Sequence, residues 1–156
     1  MPDSSEHPKA VHVNVYLCIM SRIMAIDYGL KRTGIAVSDP LQIIAGGLTT
    51  IESSKLFEFL DDYLKKEKVS LIIIGMPRNL DDSDTHATKA VGLLIEKLKE
   101  KFPSVPVKPV DERFTSKMAS RAMVEMGLKK KKRQDKGTVD KIAATIMLQD
   151  FMREHM

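Results

Sequence analysis

Arg22-Ile-Met-Ala-Ile-Asp27-Tyr-Gly29-Leu-Lys31-Arg32-Thr-Gly34-Ile-Ala-Val37 is the stretch whose reading decides the fold. Ile23 to Ile26 is a short apolar run without helical spacing. It stops at Asp27, Gly29 and Gly34 bracket a Lys31-Arg32 pair, and Ile35-Ala36-Val37 resumes the apolar pattern. This reads as a buried strand, a basic turn and a returning strand. A carboxylate at the mouth of a buried strand is costly unless it is paired, hydrogen-bonded or bound to a cation, so Asp27 needs a reason. Gly29 is able to take a positive φ angle and leaves room above that carboxylate for a metal or a phosphate.

Working outward, Gln42 to Ile51 is rich in β-branched residues around Gly46-Gly47, which predicts a third strand with a bend or bulge. Ser53 or Ser54 is the expected cap of a helix that carries Leu56, Phe57, Leu60, Tyr63 and Leu64 on one face and runs to about Lys66. Ser70 to Ile74 is a strand apolar on both faces, ended by Gly75-Met76-Pro77, and belongs in the middle of a covered sheet. After a polar loop over 78–83, a helix from about Asp84 to Lys101 has the stripe Ala87, Ala90, Val91, Leu94, Ile95 and Leu98. Val105 to Val110 is a fifth strand that runs into Asp111-Glu112-Arg113. Thr115 or Ser116 caps the next helix, with Met118, Ala119, Ala122, Met123 and Met126 at helical spacing and Gly127 as its stop. A basic loop, Lys129 to Arg133, precedes a last helix from Thr138 to about Arg153.

The expected architecture is α/β: a mixed five-stranded sheet, strands 1–3 antiparallel, strands 4 and 5 parallel to strand 1, with helices on both faces. Asp27, Gly75 and Glu112 then lie at one rim, where open α/β sheets bind their ligands. A chain of 156 residues suits one domain, read here as residues 20–156 preceded by an extension of unknown role over 1–19. Within that extension, 11–19 alternates like a strand. The net charge of +4 permits a nucleic-acid partner without demanding one. A single cysteine and four scattered histidines exclude a disulfide framework or a Cys-rich zinc site and point to a reducing, cytoplasmic compartment. No apolar run is long enough to span a membrane, so no membrane partner is expected.

Asp-Tyr-Gly-Leu-Lys-Arg-Thr-Gly-Ile-Ala at 27–36, Gly-Met-Pro at 75–77, Asp-Glu-Arg-Phe-Thr-Ser at 111–116 and Val-Asp-Lys-Ile-Ala-Ala at 139–144 together resemble the YqgF/RuvX family. Its members are ribonuclease-H-like proteins known as pre-16S rRNA nucleases or Holliday junction resolvases. The resemblance spans about residues 21–153 and does not reach 1–19. It implies a ribonuclease-H-like fold and phosphodiester hydrolysis with Mg²⁺ or Mn²⁺ held by carboxylates.

The resemblance implies Asp27, Glu112 and Asp140 as catalytic and metal-binding acids. For each a plainer reading stands beside it. Asp27 also reads, less favoured, as a carboxylate that caps a turn. Asp111 competes with Glu112, because adjacent strand residues point to opposite faces, and either acid suits pairing with Arg113 or capping the helix near Thr115. Asp140, two residues into the expected last helix, suits the helix dipole; only its place in the family's block argues for the metal. In the related resolvases one metal-binding acid ends the fourth strand, and here that place is Gly75-Met76-Pro77.

Lys31, Arg32, Arg78 and Arg113 belong to the same rim, where cations position a phosphate backbone. The run Lys129, Lys130, Lys131, Lys132 and Arg133 is either a solvated loop or part of that nucleic-acid surface. With no tryptophan and 5% aromatic residues, recognition of backbone and shape is expected over base stacking. The leading expectation is a metal-dependent endonuclease acting on structured RNA, such as the 5′ end of pre-16S rRNA, with branched DNA as the alternative substrate. A catalytically weak nucleic-acid-binding factor is a further reading. An actin-like ATP-binding protein shares the Asp-x-Gly hairpin but needs two lobes, for which the chain is too short. Monomer and homodimer both remain open, and methionines on the 118–126 helix offer a surface for a second copy.

Overall fold

Apolar residues on both sides of one strand require cover on both sides, and the chain supplies it with helices. In the computed structural model, the described residues are 20–77, 86–111 and 115–155, with the side chains of 115–117 and 120 outside the description. Strand β1, Arg22–Tyr28, sends Met24 and Ile26 into one core and Ile23 and Ala25 into the other. Strands β2, Arg32–Ser38, and β3, Ala45–Glu52, follow it as an antiparallel meander. A 3-10 turn at Ser53–Lys55 leads into α1, Leu56–Lys66, then β4, Val69–Met76, α2, His86–Lys101, and β5, Val107–Asp111. The C-terminal part holds α3, Thr115–Glu125, a short α4, Lys130–Arg133, and the long α5, Lys136–His155.

The five strands lie in the order β3-β2-β1-β4-β5, with β4 parallel to both β1 and β5, as the sequence predicts. Leu56 and Leu60 of α1 and Val91, Leu94, Ile95 and Leu98 of α2 close one face. Ala144, Met147, Leu148, Phe151 and Met152 of α5 close the other. Ile72, Ile73 and Ile74 of β4 are wholly buried between these layers, each contributing about 1.5–3 kcal/mol of apolar burial.

Several boundaries differ from the sequence reading, each for a local reason. The third strand starts at Ala45 because Asp39 organises the preceding residues into a turn. Its carboxylate accepts the amides of Ile43 and Ile44 at 2.7 Å each, and Gln42 adopts a φ of 57°. These amides, that of Ile44 foremost, hold the Asp39 carboxyl below its ordinary range. The expected bulge occurs where the register passes from Ile35 opposite Thr49 to Ala36 opposite Gly47, so that Leu48 is the extra residue. On α2 the buried stripe takes in Thr88 in place of Ala87, because the Thr88 hydroxyl donates to the carbonyl of Pro77.

Gly127 does end α3: its φ is 70°, its amide reaches the carbonyl of Val124 at 3.0 Å, and the amide of Leu128 reaches that of Met123 at 3.1 Å. The basic run is not a loop, since Lys130–Arg133 forms a helical turn that packs on α3 and α5, as suits residues of good helix propensity. The last helix begins at Lys136, two residues before Thr138, because Asp135 caps it. The Asp135 carboxylate accepts the amide of Thr138 at 3.0 Å and its hydroxyl at 2.5 Å. The strand-like pattern at 11–19 and the loop at 78–83 lie outside the described residues. No described helix is long and apolar enough to cross a membrane.

Candidate active site

Strand alternation decides which face each site residue shares. Asp27 follows Ile23 and Ala25 on β1 by steps of two, which is the face covered by α5. It is half-buried near the end of the strand, and Gly34 of β2 lies opposite it. Arg32 and Gly34 share the parity of Ala36, which packs in the α5 core, so Asp27, Arg32 and Gly34 occupy one face. Helix α5 crosses that face at Gly34. A β-carbon there would overlap the main-chain carbonyl of Asp140, well inside the 3.0 Å that real β-carbons keep. The missing side chain is what lets the helix bring Asp140 down beside the strand that holds Asp27.

Asp140 is the fifth residue of α5, beyond the first-turn amides that a cap or the dipole would serve. Asp135 takes that duty, and its carboxyl is held below the ordinary range, chiefly by the Thr138 hydroxyl. Asp140 instead meets Arg32, whose Nε donates to Oδ2 at 3.1 Å. The two side chains retain 40% and 25% of their exposure, so the pair is worth only about 0.2–1 kcal/mol.

The turn between Asp27 and Arg32 is built differently from the expectation. Gly29 does not have a positive φ; among the described residues only Gly127 of the glycines does. Its small size is needed because a β-carbon would lie 2.6 Å from the carbonyl of Arg32, which accepts the Gly29 amide at 2.9 Å. Ser53 does not cap α1, which lacks a side-chain cap. Its hydroxyl donates to the Gly29 carbonyl at 2.5 Å and pairs with the Thr33 hydroxyl at 2.8 Å, while its amide reaches the Lys31 carbonyl at 3.0 Å. The basic turn is therefore tied down from the 3-10 turn that follows β3.

Gly75 follows Ile74, the partner of Ile26, and so stands level with Asp27 at the rim; it pairs in turn with Val110, and Met76 with Asp111. Asp111 is exposed at the end of β5. Glu112, Arg113 and Arg78 lie outside the described residues. Among the described residues no group of three acids, histidines or cysteines is arranged to hold a metal. What is described fits a hard divalent cation in the chemistry of its donors: Asp27 and Asp140 are both carboxylates, and both border Gly34, Asp27 as its strand partner and Asp140 through the α5 backbone packed on it. Lys31 and Lys129 to Lys132 are exposed. Arg133 is half-buried, and its Nε meets no acceptor among the described residues.

With this geometry in view, the chain was compared with known proteins. Residues 21–154 match the family model RuvX, described as Holliday junction resolvase. The chain belongs to the RuvX family. Relatives of this family named "Putative pre-16S rRNA nuclease" include one from Christiangramia forsetii, 50% identical over 86% of this chain and 100% of its own length. Another, from Flavobacterium psychrophilum, is 53% identical over 85% of this chain and 97% of its own. A third, from Bacteroides fragilis, is also 53% identical, over 85% and 96%. Among solved structures, Thermus thermophilus RuvC in complex with a Holliday junction substrate superposes with a TM-score of 0.50 at 15% identity, covering 86% of this chain and 96% of that one. That likeness bears on the fold, which is ribonuclease-H-like. The family is one of nucleases.

Three residues that build this site escape a sequence reading that looks for acids and cations. The Asp135-x-x-Thr138 pattern is a cap signal that was available and would have moved the start of α5. Ser53 and Gly34 carry no such local signal, since their partners lie on other elements.

Proposed function

We propose that this RuvX-family nuclease is a divalent-metal-dependent endonuclease that cuts phosphodiester bonds in structured nucleic acid, most specifically in maturation of the 5′ end of pre-16S rRNA. The observation that supports this reading is that Asp27 and Asp140, far apart in sequence, both border Gly34, Asp27 as its partner on β1 and Asp140 through the α5 backbone that packs on it. In the proposal Asp27, Glu112 and Asp140 hold Mg²⁺ or Mn²⁺. Glu112 is preferred to Asp111 because the family resemblance of the 111–116 block favours it. Bound divalent ions supply a water that is deprotonated at neutral pH and positive charge for the leaving oxygen.

The remaining assignments belong to the chain's cations. Lys31, Arg32, Arg78, Arg113 and Lys129 to Arg133 are proposed to bind and orient the phosphate backbone, which rewards charge over base identity. The catalytic domain is proposed as residues 20–156, acting in the cytoplasm as a monomer or homodimer, with 1–19 appended to it. Pre-16S rRNA is favoured by the names of the half-identical relatives; a Holliday junction is the second reading, favoured by the family model's own description.

The test compares cleavage of a pre-16S 5′-leader RNA and a four-way DNA junction, with Mg²⁺ or Mn²⁺, by the wild type and by Asp27→Asn and Glu112→Gln. Metal-dependent cutting of the RNA, lost in both variants, is the expected result. Cutting of the junction alone selects the second reading. Binding without cutting of either substrate, unchanged in the variants, refutes the enzymatic assignment.

A further inference from the structure

We propose that Arg32 is a built-in counter-ion for Asp140, which cedes that carboxylate to the divalent ion on metal loading and then engages a substrate phosphate. The proposal rests on the metal-dependent reading above. Asp140 has no capping duty, since Asp135 performs it, and its described partner is the Arg32 guanidinium at 3.1 Å. A carboxylate on a half-buried helix face costs free energy if left without a counter-charge, so something cationic must stand there before an ion arrives. The guanidinium holds Oδ2, and a divalent ion on the same carboxylate repels it across a few ångströms, which favours its withdrawal on loading.

The displaced group is the side chain of Arg32, because its backbone is held. Arg32 pairs with Glu52 of β3, and its carbonyl accepts the Gly29 amide at 2.9 Å. Only the side chain is left to swing, and the pair it leaves is 40% and 25% exposed and therefore cheap to break. A guanidinium carries five donors in a planar fork, a geometry suited to a phosphate as well as a carboxylate. Such an exchange joins metal loading to backbone binding through one residue.

The experiment measures Mg²⁺ and Mn²⁺ affinity by calorimetry and by thermal shift, for the wild type, Arg32→Gln and the charge-matched control Lys31→Gln, with circular dichroism to confirm folding. Arg32→Gln is expected to bind the ion roughly three- to tenfold more tightly, the scale of an exposed ion pair plus the repulsion removed with it. Lys31→Gln is expected to move by less than about twofold, because an exposed, solvated charge is screened. In Arg32→Gln, affinity for a four-way DNA junction and for an RNA stem-loop falls, so that metal and nucleic-acid affinities move in opposite directions. Adding Asp140→Asn to Arg32→Gln removes the gain. Equal or weaker metal binding by Arg32→Gln, or an equal gain in Lys31→Gln, overturns the proposal. If the wild type binds the ion through Asp27 and Arg32→Gln shows no gain, the exchange alone is refuted. If no form binds the ion, the metal-dependent reading falls as well.

Discussion

Gly34 lies directly beneath the main-chain carbonyl of Asp140, so close that a β-carbon on the glycine would overlap it. The contact is backbone to backbone, and neither side has a flexible end that can move aside. Gly34→Ala is therefore expected to push α5 off the sheet at the point where Asp140 is delivered. Overpacking of this kind costs about 1–3 kcal/mol, read as a lower urea midpoint with an unchanged slope. Cleavage falls further than stability accounts for, because the two carboxylates separate.

Asp140→Asn should dissociate activity from stability. The ion pair with Arg32 is partly exposed, so its loss costs less than about 1 kcal/mol. A group that acts on charge at a reacting centre costs on the order of a hundredfold or more in kcat when removed. Urea melts of wild type and variant that nearly coincide, with cleavage reduced on that scale, are the expected pair of results. A variant as active as the wild type removes Asp140 from the site.

The cap on α5 makes a pH prediction. The Asp135 carboxyl is held below its ordinary value in the folded chain, first by the Thr138 hydroxyl and then by the Thr138 amide. A depressed folded-state pKa adds stability that is complete above the unfolded value of 3.8 and is lost as pH falls through the folded one. Melting temperature followed from pH 6 downward should fall more steeply below about pH 4 in the wild type than in Asp135→Ala, whose melting temperature is lower at neutral pH. Parallel curves would mean that the cap is not formed in solution.

Ser53→Ala tests how the basic turn is held. The Ser53 hydroxyl ties the Gly29 carbonyl to the 3-10 turn after β3, and a neutral hydrogen bond of this kind contributes about 1 kcal/mol. With the tether gone, Lys31 and Arg32 sample more positions. KM for a nucleic-acid substrate should rise severalfold while kcat changes little, as steady-state kinetics would report.

The order of strands and helices, the antiparallel hairpin and the parallel β4 and β5 were legible in the residues, because alternation, helical spacing and stop residues such as Gly127 act within a few positions of one another. The end of β1 was legible to within one residue, since an acid after Ile23 to Ile26 stands out against any apolar background; the ladder runs on through Asp27 to Tyr28, which pairs with Thr33. The start of α5 reads two residues late, at Thr138, when the cap signal of Asp135 is passed over. Tertiary structure decided the rest. That Arg32 pairs with Asp140, that Ser53 serves the turn at Gly29 and not α1, and that Gly34 is small for the sake of α5 all depend on elements that meet only when the sheet is covered. Local rules are set by backbone geometry over a few residues, whereas a contact between distant elements is set by how two surfaces pack, and no single stretch of chain contains both surfaces.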